Sequence, residues 1–220
     1  MKKIGILWDL DGTLLDSLED LKDSVNYTLK QYGLPERSLD EIRCFVGNGA
    51  RHLIALSMPG REDDPDMDAV LRDYQIYYTA HSQIKTKPYD GVLVALELLG
   101  KKYPMAVVSN KPDDAVKVLC SQYFPDVYAI GESVDCPRKP APDMVFRAMN
   151  ALGVDACVYV GDSEVDVITA GNAGVPCLSV LWGFRDRKIL EEAGGKYFCG
   201  DTAKLAETLE YVIEQVYGNA

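Results

Sequence analysis

The sequence predicts an α/β protein whose core is a doubly wound, mostly parallel sheet of Rossmann-like type, interrupted by a small all-helical insertion. Two observations carry this. From residue 88 onward, short apolar runs alternate with helix-length amphipathic segments, the pattern of βαβ units that build a parallel sheet. Ahead of them stands one more such run, residues 4–8 (IGILW), followed by a long stretch with no strand pattern. The first strand must join the later ones, so the core is discontinuous: residues 1–15 and 88–220, with 16–87 as a helical insert.

Residues 4–8 are short, β-rich and nearly free of polar groups, as in a strand buried on both faces. Residues 14–32 place Leu18, Leu21, Val25, Leu29 and Tyr32 at the 3–4 spacing of an amphipathic helix, which Gly33 and Pro35 end. Ser38 with Glu41 is a capping-box pattern opening a second helix. The Gly47-Asn48-Gly49 break leads into a third, through about Ser57. Residues 59–68 read as an acidic loop, and 69–80 as a fourth helix with Tyr74, Tyr77 and Tyr78 on an aromatic face. No strand is expected between residues 14 and 87.

Beyond Pro88, helices are expected at 92–99, 113–122, 142–152, 165–173, 188–193 and 203–216. Strands are expected at 104–108, 127–130, 156–160, 175–180 and, weakly, 196–198.

The 220 residues are enough for a sizeable core. A net charge of −11 leaves no basic stripe for a phosphate backbone, which argues against a nucleic-acid surface. Six scattered cysteines without a C-x-x-C pair fit free thiols in a reducing compartment rather than a zinc site. With no leader-like apolar segment and no run of membrane-spanning length, a cytoplasmic protein is expected, monomer or homodimer, with no membrane partner.

The chemistry gathers at strand ends. Asp9 and Asp11 follow the first strand at spacing i, i+2, which in extended backbone turns both carboxylates to one side. The bland alternative is an Asp-Gly turn, but adjacent acids repel unless a cation or proton lies between them. Ser109-Asn110-Lys111 follows the 104–108 strand and by itself reads as a helix cap. Lys139 lies in a stretch stiffened by Pro140 and Pro142. Asp162 and Asp166 end the 156–160 strand and open a helix, and their i, i+4 spacing puts both on one helix face. Carboxylates with few fixed partners suit Mg²⁺, while a lysine and a hydroxyl suit a phosphoryl group. Neither histidine, His52 or His81, is at a strand end, so a carboxylate must serve as nucleophile or base.

With DLDGTLLDS, SNK, RKPAPD and GDSEVD in this order, the chain resembles the haloacid dehalogenase (HAD) superfamily of phosphohydrolases over its whole length. Trp8 stands where the family more often has Phe. Within the superfamily, GDSEVDVITAGNAGVPCLSVLWGFRDRKIL and VGNGARHLI are similar to phosphoglycolate phosphatases.

The resemblance implies Asp9 as nucleophile and Asp11 as general acid, then base. It implies Mg²⁺ held by Asp9, the Asp11 main-chain carbonyl and Asp162, with Asp166 in support. Ser109, Lys139 and Asn110 would bind the phosphoryl oxygens. Residues 16–87 would form a mobile cap. Within it Arg51, which with Asn48 follows the Gly47–Gly49 break, reads either as a contact for a substrate carboxylate or as a surface salt bridge to its acidic surroundings. The implied partner is a small phosphorylated metabolite, 2-phosphoglycolate first. A sugar phosphomutase of the β-phosphoglucomutase kind, a phosphatase of nucleotides or pyrophosphate, and a non-catalytic phosphoryl-binding module are the alternatives. The presence of Asp11 disfavours dehalogenase and phosphonate-cleaving activities.

Overall fold

The computed structural model describes residues 2–218. Six parallel strands form the main sheet: β1 (Ile4–Trp8), β4 (Met105–Pro112), β5 (Tyr128–Glu132), β6 (Ala156–Gly161), β7 (Cys177–Val180) and β8 (Tyr197–Cys199). Their order is β5-β4-β1-β6-β7-β8. The chain winds outward from β1 in both directions, so β1 sits at the topological switch point, where open α/β sheets place their ligands. All five residues of β1 are buried.

The side-chain alternation of the strands assigns the two faces. Ile4, Ile6 and Trp8 pack with α5 (Val92–Gly100), α6 (Asp113–Tyr123) and α10 (Leu205–Tyr217). Leu7 points the other way, with Ala106, Val108, Cys157 and Tyr159, onto α7 (Asp143–Leu152) and α8 (Glu164–Ala173). The short α9 (Arg187–Glu192) precedes β8.

Four helices fill the insertion: α1 (Leu18–Gln31), α2 (Leu39–Phe45), α3 (Gly49–Ser57) and α4 (Met67–His81). Leu21, Val25, Leu29, Ile42, Leu53, Ile54, Val70 and Tyr74 make a hydrophobic core separate from those of the sheet. Ser38 caps α2 through the anticipated box, its Oγ accepting from the Glu41 N–H while Glu41 accepts from the Ser38 N–H.

Four local readings need correction. The span expected to lack strands holds β2 (Leu15–Asp16), which pairs antiparallel with β3 (Lys87–Pro88) where the chain leaves and re-enters the core. Two-residue strands are too short to show alternation, and these pair across the whole insertion. The first helix begins at Leu18 instead of residue 14, because Leu14 and Leu15 donate to the Leu10 carbonyl in a tight turn. The loop at 59–68 contains a single 3₁₀ turn, Arg61–Asp63. Strand β4 continues through Ser109, Asn110 and Lys111, with a register irregularity against β5, so these residues do not cap α6. Among the described residues, no helix is long and apolar enough to cross a membrane.

Candidate active site

Parallel pairing of β1 with β4 and β6 brings three strand ends side by side. Asp9 follows Trp8 directly, and its N–H donates to the Val160 carbonyl at 2.8 Å, continuing the β1–β6 ladder by one bond. Asp162 follows Gly161 at the end of β6. Adjacent strands lie about 4.8 Å apart, so acids at neighbouring ends must meet. One carboxylate oxygen from each of Asp9, Asp162 and Asp166 lies within 4.8 Å of the others.

Lys139 is buried among them. Its Nζ donates to Asp9 Oδ1 and Asp166 Oδ1, both at 2.7 Å, and reaches the Tyr159 hydroxyl at 3.1 Å. Tyr159 in turn donates to the Val108 carbonyl at 2.9 Å. Burial alone would lower the Lys139 pKa, but the charges of Asp166 and Asp9 outweigh it and hold the ammonium well above the ordinary lysine range.

Asp166 has a second task. Its Oδ2 accepts from the Ser163 N–H at 3.1 Å and the Ser163 hydroxyl at 2.6 Å, closing a capping box at the start of α8. Asp162 precedes that cap, so the two acids converge from a strand end and a first helical turn and do not share one helix face as their spacing suggested. Asp162 accepts from Thr13 Oγ1 at 3.0 Å and the Phe184 N–H at 2.7 Å. Only glycine fits around it: a Cβ on Gly12 or Gly183 would overlap the Asp162 side chain.

Of the three buried carboxylates, Asp9 and Asp166 share one ammonium and Asp162 has none beside it. Burial raises the Asp9 carboxyl to about 7; Lys139 pulls it down while Asp166 and Asp11 push it up. Burial, then the charges of Asp9 and Asp166, raises Asp162 well above the usual range. With all three ionised, the carboxylates outnumber the ammonium by two charges, and such an all-oxygen set fits a hard divalent cation.

Asp11 stands beside this cluster, its Oδ1 accepting from the Ser17 hydroxyl at 2.5 Å and its Oδ2 2.8 Å from Lys111 Nζ. Lys111 also donates to the hydroxyl of Tyr78 on α4, and Tyr78 stacks on Tyr74 with centroids 5.6 Å apart. Burial pushes the Tyr78 phenol well above its ordinary pKa, which keeps it neutral. Ser109 is buried, lines the same cleft and accepts from the Lys111 N–H at 3.3 Å.

The Asn110 amide is spent on positioning. It donates to the Lys139 carbonyl at 3.0 Å and the Gly47 carbonyl at 3.1 Å, and accepts from the Lys139 N–H at 2.7 Å. The cleft lies between core and insertion and is open to solvent, with Leu21, Val46, Ala50, Leu53, Tyr74 and Tyr78 as the insertion's wall.

Two expected residues are elsewhere. Neither Asn48 nor Arg51 lines the cleft. Arg51 is exposed and paired with Glu62 at 2.5 Å and Asp68 at 2.8 Å, because the acidic loop and the first turn of α4 in its own insertion offer nearer partners. Arg185 reaches the cleft instead. It is fixed by Glu164 at 2.8 Å and by the carbonyls of Arg43, Cys44 and Val46 at the end of α2. Sequence reasoning missed Lys111, Tyr78 and Arg185. The SNK triplet held the one usable signal, since it placed a lysine at a strand end beside the hydroxyl.

Residues 6–180 match the family model of haloacid dehalogenase-like hydrolases. A phosphoglycolate phosphatase of Rhodobacter capsulatus is 36% identical over 189 residues, covering 82% of this chain and 85% of its own. Another from Xanthomonas campestris pv. campestris (strain 8004) is 34% identical over 187 residues, covering 82% and 84%. A crystal structure from Lactobacillus delbrueckii subsp. bulgaricus superposes with a TM-score of 0.85 at 35% identity, covering 95% of this chain and 99% of that one. The strand-end acids, the lysine they share and these likenesses agree: the chain belongs to the haloacid dehalogenase-like hydrolases, as an enzyme of the phosphatase kind.

Proposed function

We propose that this phosphatase hydrolyses a small phosphomonoester through an aspartyl-phosphate on Asp9, with 2-phosphoglycolate as its substrate. The observation that carries the reading is the division of labour at Asp9. Lys139 holds Oδ1, which leaves Oδ2 to attack phosphorus. Asp11, two residues on, is the acid for the leaving oxygen and then the base for water; one side chain serves both because the second step reverses the proton demand of the first.

Ser109 and Lys139 bind and orient the phosphoryl oxygens, and Asn110 holds the Lys139 peptide in register. Asp9, the Asp11 carbonyl and Asp162 would hold Mg²⁺, with Asp166 keeping Lys139 in place. When bound, the ion neutralises charge developing on the transferred group. The insertion, 16–87, acts as the cap that keeps water out during the first step. Its wall is apolar apart from the tyrosine hydroxyls and the Gly47 and Gly49 backbone, which suits a small leaving group better than a hydroxyl-rich sugar. The two phosphoglycolate phosphatases of comparable length support the substrate. Six unpaired cysteines support a reducing, cytoplasmic setting.

The test is turnover of p-nitrophenyl phosphate and of a panel of phosphorylated metabolites with and without Mg²⁺. Turnover should require Mg²⁺ and favour 2-phosphoglycolate. Asp9→Asn should abolish it with the far-ultraviolet circular dichroism unchanged. Substantial activity in that variant would show that Asp9 is not the nucleophile.

A further inference from the structure

Three cationic side chains line the cleft; Lys139 has all three of its donors engaged and Arg185 four of its five, each anchored to protein groups on several sides. Lys139 is held by two carboxylates and a phenol. Arg185 is held by Glu164 and three carbonyls. Lys111 is different. Its side chain is only 3% exposed, yet its Nζ has two polar partners, Asp11 Oδ2 and the Tyr78 hydroxyl. An ammonium carries three donors and no acceptor, so one remains unassigned. Burying a cation is costly unless it is well paired, and here its one carboxylate partner is shared with Ser17.

Position gives this spare donor a meaning. Lys111 pairs with Asp11, the residue that serves the leaving oxygen, while Lys139 pairs with Asp9, which serves phosphorus. Tyr78 steadies it from the insertion, with Nζ 4.4 Å from the ring centroid. Around it the insertion's wall is Leu21, Ala50, Leu53 and Tyr74. A leaving group there meets one cation in an otherwise apolar wall, which selects a short anion.

We propose that Lys111 determines specificity, its ammonium receiving the carboxylate of the leaving group while Tyr78 completes the seat from the insertion. This rests on the phosphatase reading above and assigns the substrate's second anionic group to one residue. No bond changes at Lys111; it binds and orients.

The test compares kcat/KM for 2-phosphoglycolate with that for ethyl phosphate, in which a methyl replaces the carboxylate. Wild-type enzyme should favour 2-phosphoglycolate strongly. Lys111→Met should lower that preference about 100-fold, the scale expected for a buried charge pair, and Lys111→Arg should restore part of it. Tyr78→Phe, which removes one hydroxyl, should lower the preference about tenfold and keeps the test open if Lys111→Met fails to fold. An unchanged preference in folded Lys111→Met, or in Tyr78→Phe if the former does not fold, overturns the assignment. So does a wild-type enzyme that hydrolyses both esters equally well. Equal turnover of both esters would also remove 2-phosphoglycolate as the preferred substrate, but the phosphatase chemistry is tested apart from either outcome, by Mg²⁺-dependent turnover of p-nitrophenyl phosphate.

Discussion

The acid cluster makes a quantitative prediction about stability. In metal-free protein, burial raises the Asp9 carboxyl from an ordinary 3.8 to about 7. Between those values the native state holds a proton that the unfolded chain has released, so native stability falls as pH rises through that window. The gap of about three pH units corresponds to roughly 4 kcal/mol at ~1.36 kcal/mol per unit. Mg²⁺ at a hundred times its Kd should return about 2.7 kcal/mol at pH 8. For a chain of this size, ~2–4 °C per kcal/mol makes that a rise of about 5–11 °C in Tm. At pH 5 the ion must displace the Asp9 proton, which weakens binding about 100-fold and leaves a rise of about 1–2 °C.

The assay is thermal unfolding in chelator and in the same fixed Mg²⁺ concentration at both pH values. Asp162→Asn is the control: it keeps an acceptor for Thr13 and Phe184 but removes a charge with no cation beside it. This variant should lose the Mg²⁺ response without melting lower than wild type in chelator at pH 8. An equal Mg²⁺ shift at the two pH values, or a full shift in Asp162→Asn, would refute the reasoning.

Two further variants probe the same centre. Lys139→Met leaves Asp9 and Asp166 buried without their shared ammonium. It should cost about 3–5 kcal/mol in urea unfolding; a midpoint like that of wild type would mean the pair is not held as described. Gly12 has φ +85°, and a Cβ there would overlap the Asp162 carboxylate. Gly12→Ala should therefore lower Mg²⁺-dependent turnover about 100-fold, the scale of a small misplacement of catalytic groups, together with the Mg²⁺ thermal shift; loss of one without the other would separate Gly12 from the ion.

Much of the centre was legible because it is written in strand ends. An apolar run that stops at an acid announces both the strand and where its carboxylate emerges, and Asp9 and Asp162 were found that way. Lys139 showed itself through its rigid flanks. Arg51 shows where such reasoning stops. Its sequence neighbourhood offered both a ligand and an ion pair, and the loop at residues 59–68 decided for the ion pair. Lys111 lay in plain view within the SNK triplet, but its partners Asp11 and Tyr78 come from distant segments. No local pattern pairs a strand-end lysine with the fourth helix of an insertion.

By itself the sequence determined the alternation of elements, the discontinuous core and which residues end each strand, because hydrophobic period and chain-breaking residues act over a few neighbours. The tertiary structure alone decided which lysine holds Asp9, which amide became a clamp and which cation stands beside Asp11. Those choices depend on distances between segments far apart in the chain and on burial, which turns a weak surface attraction into a fixed contact.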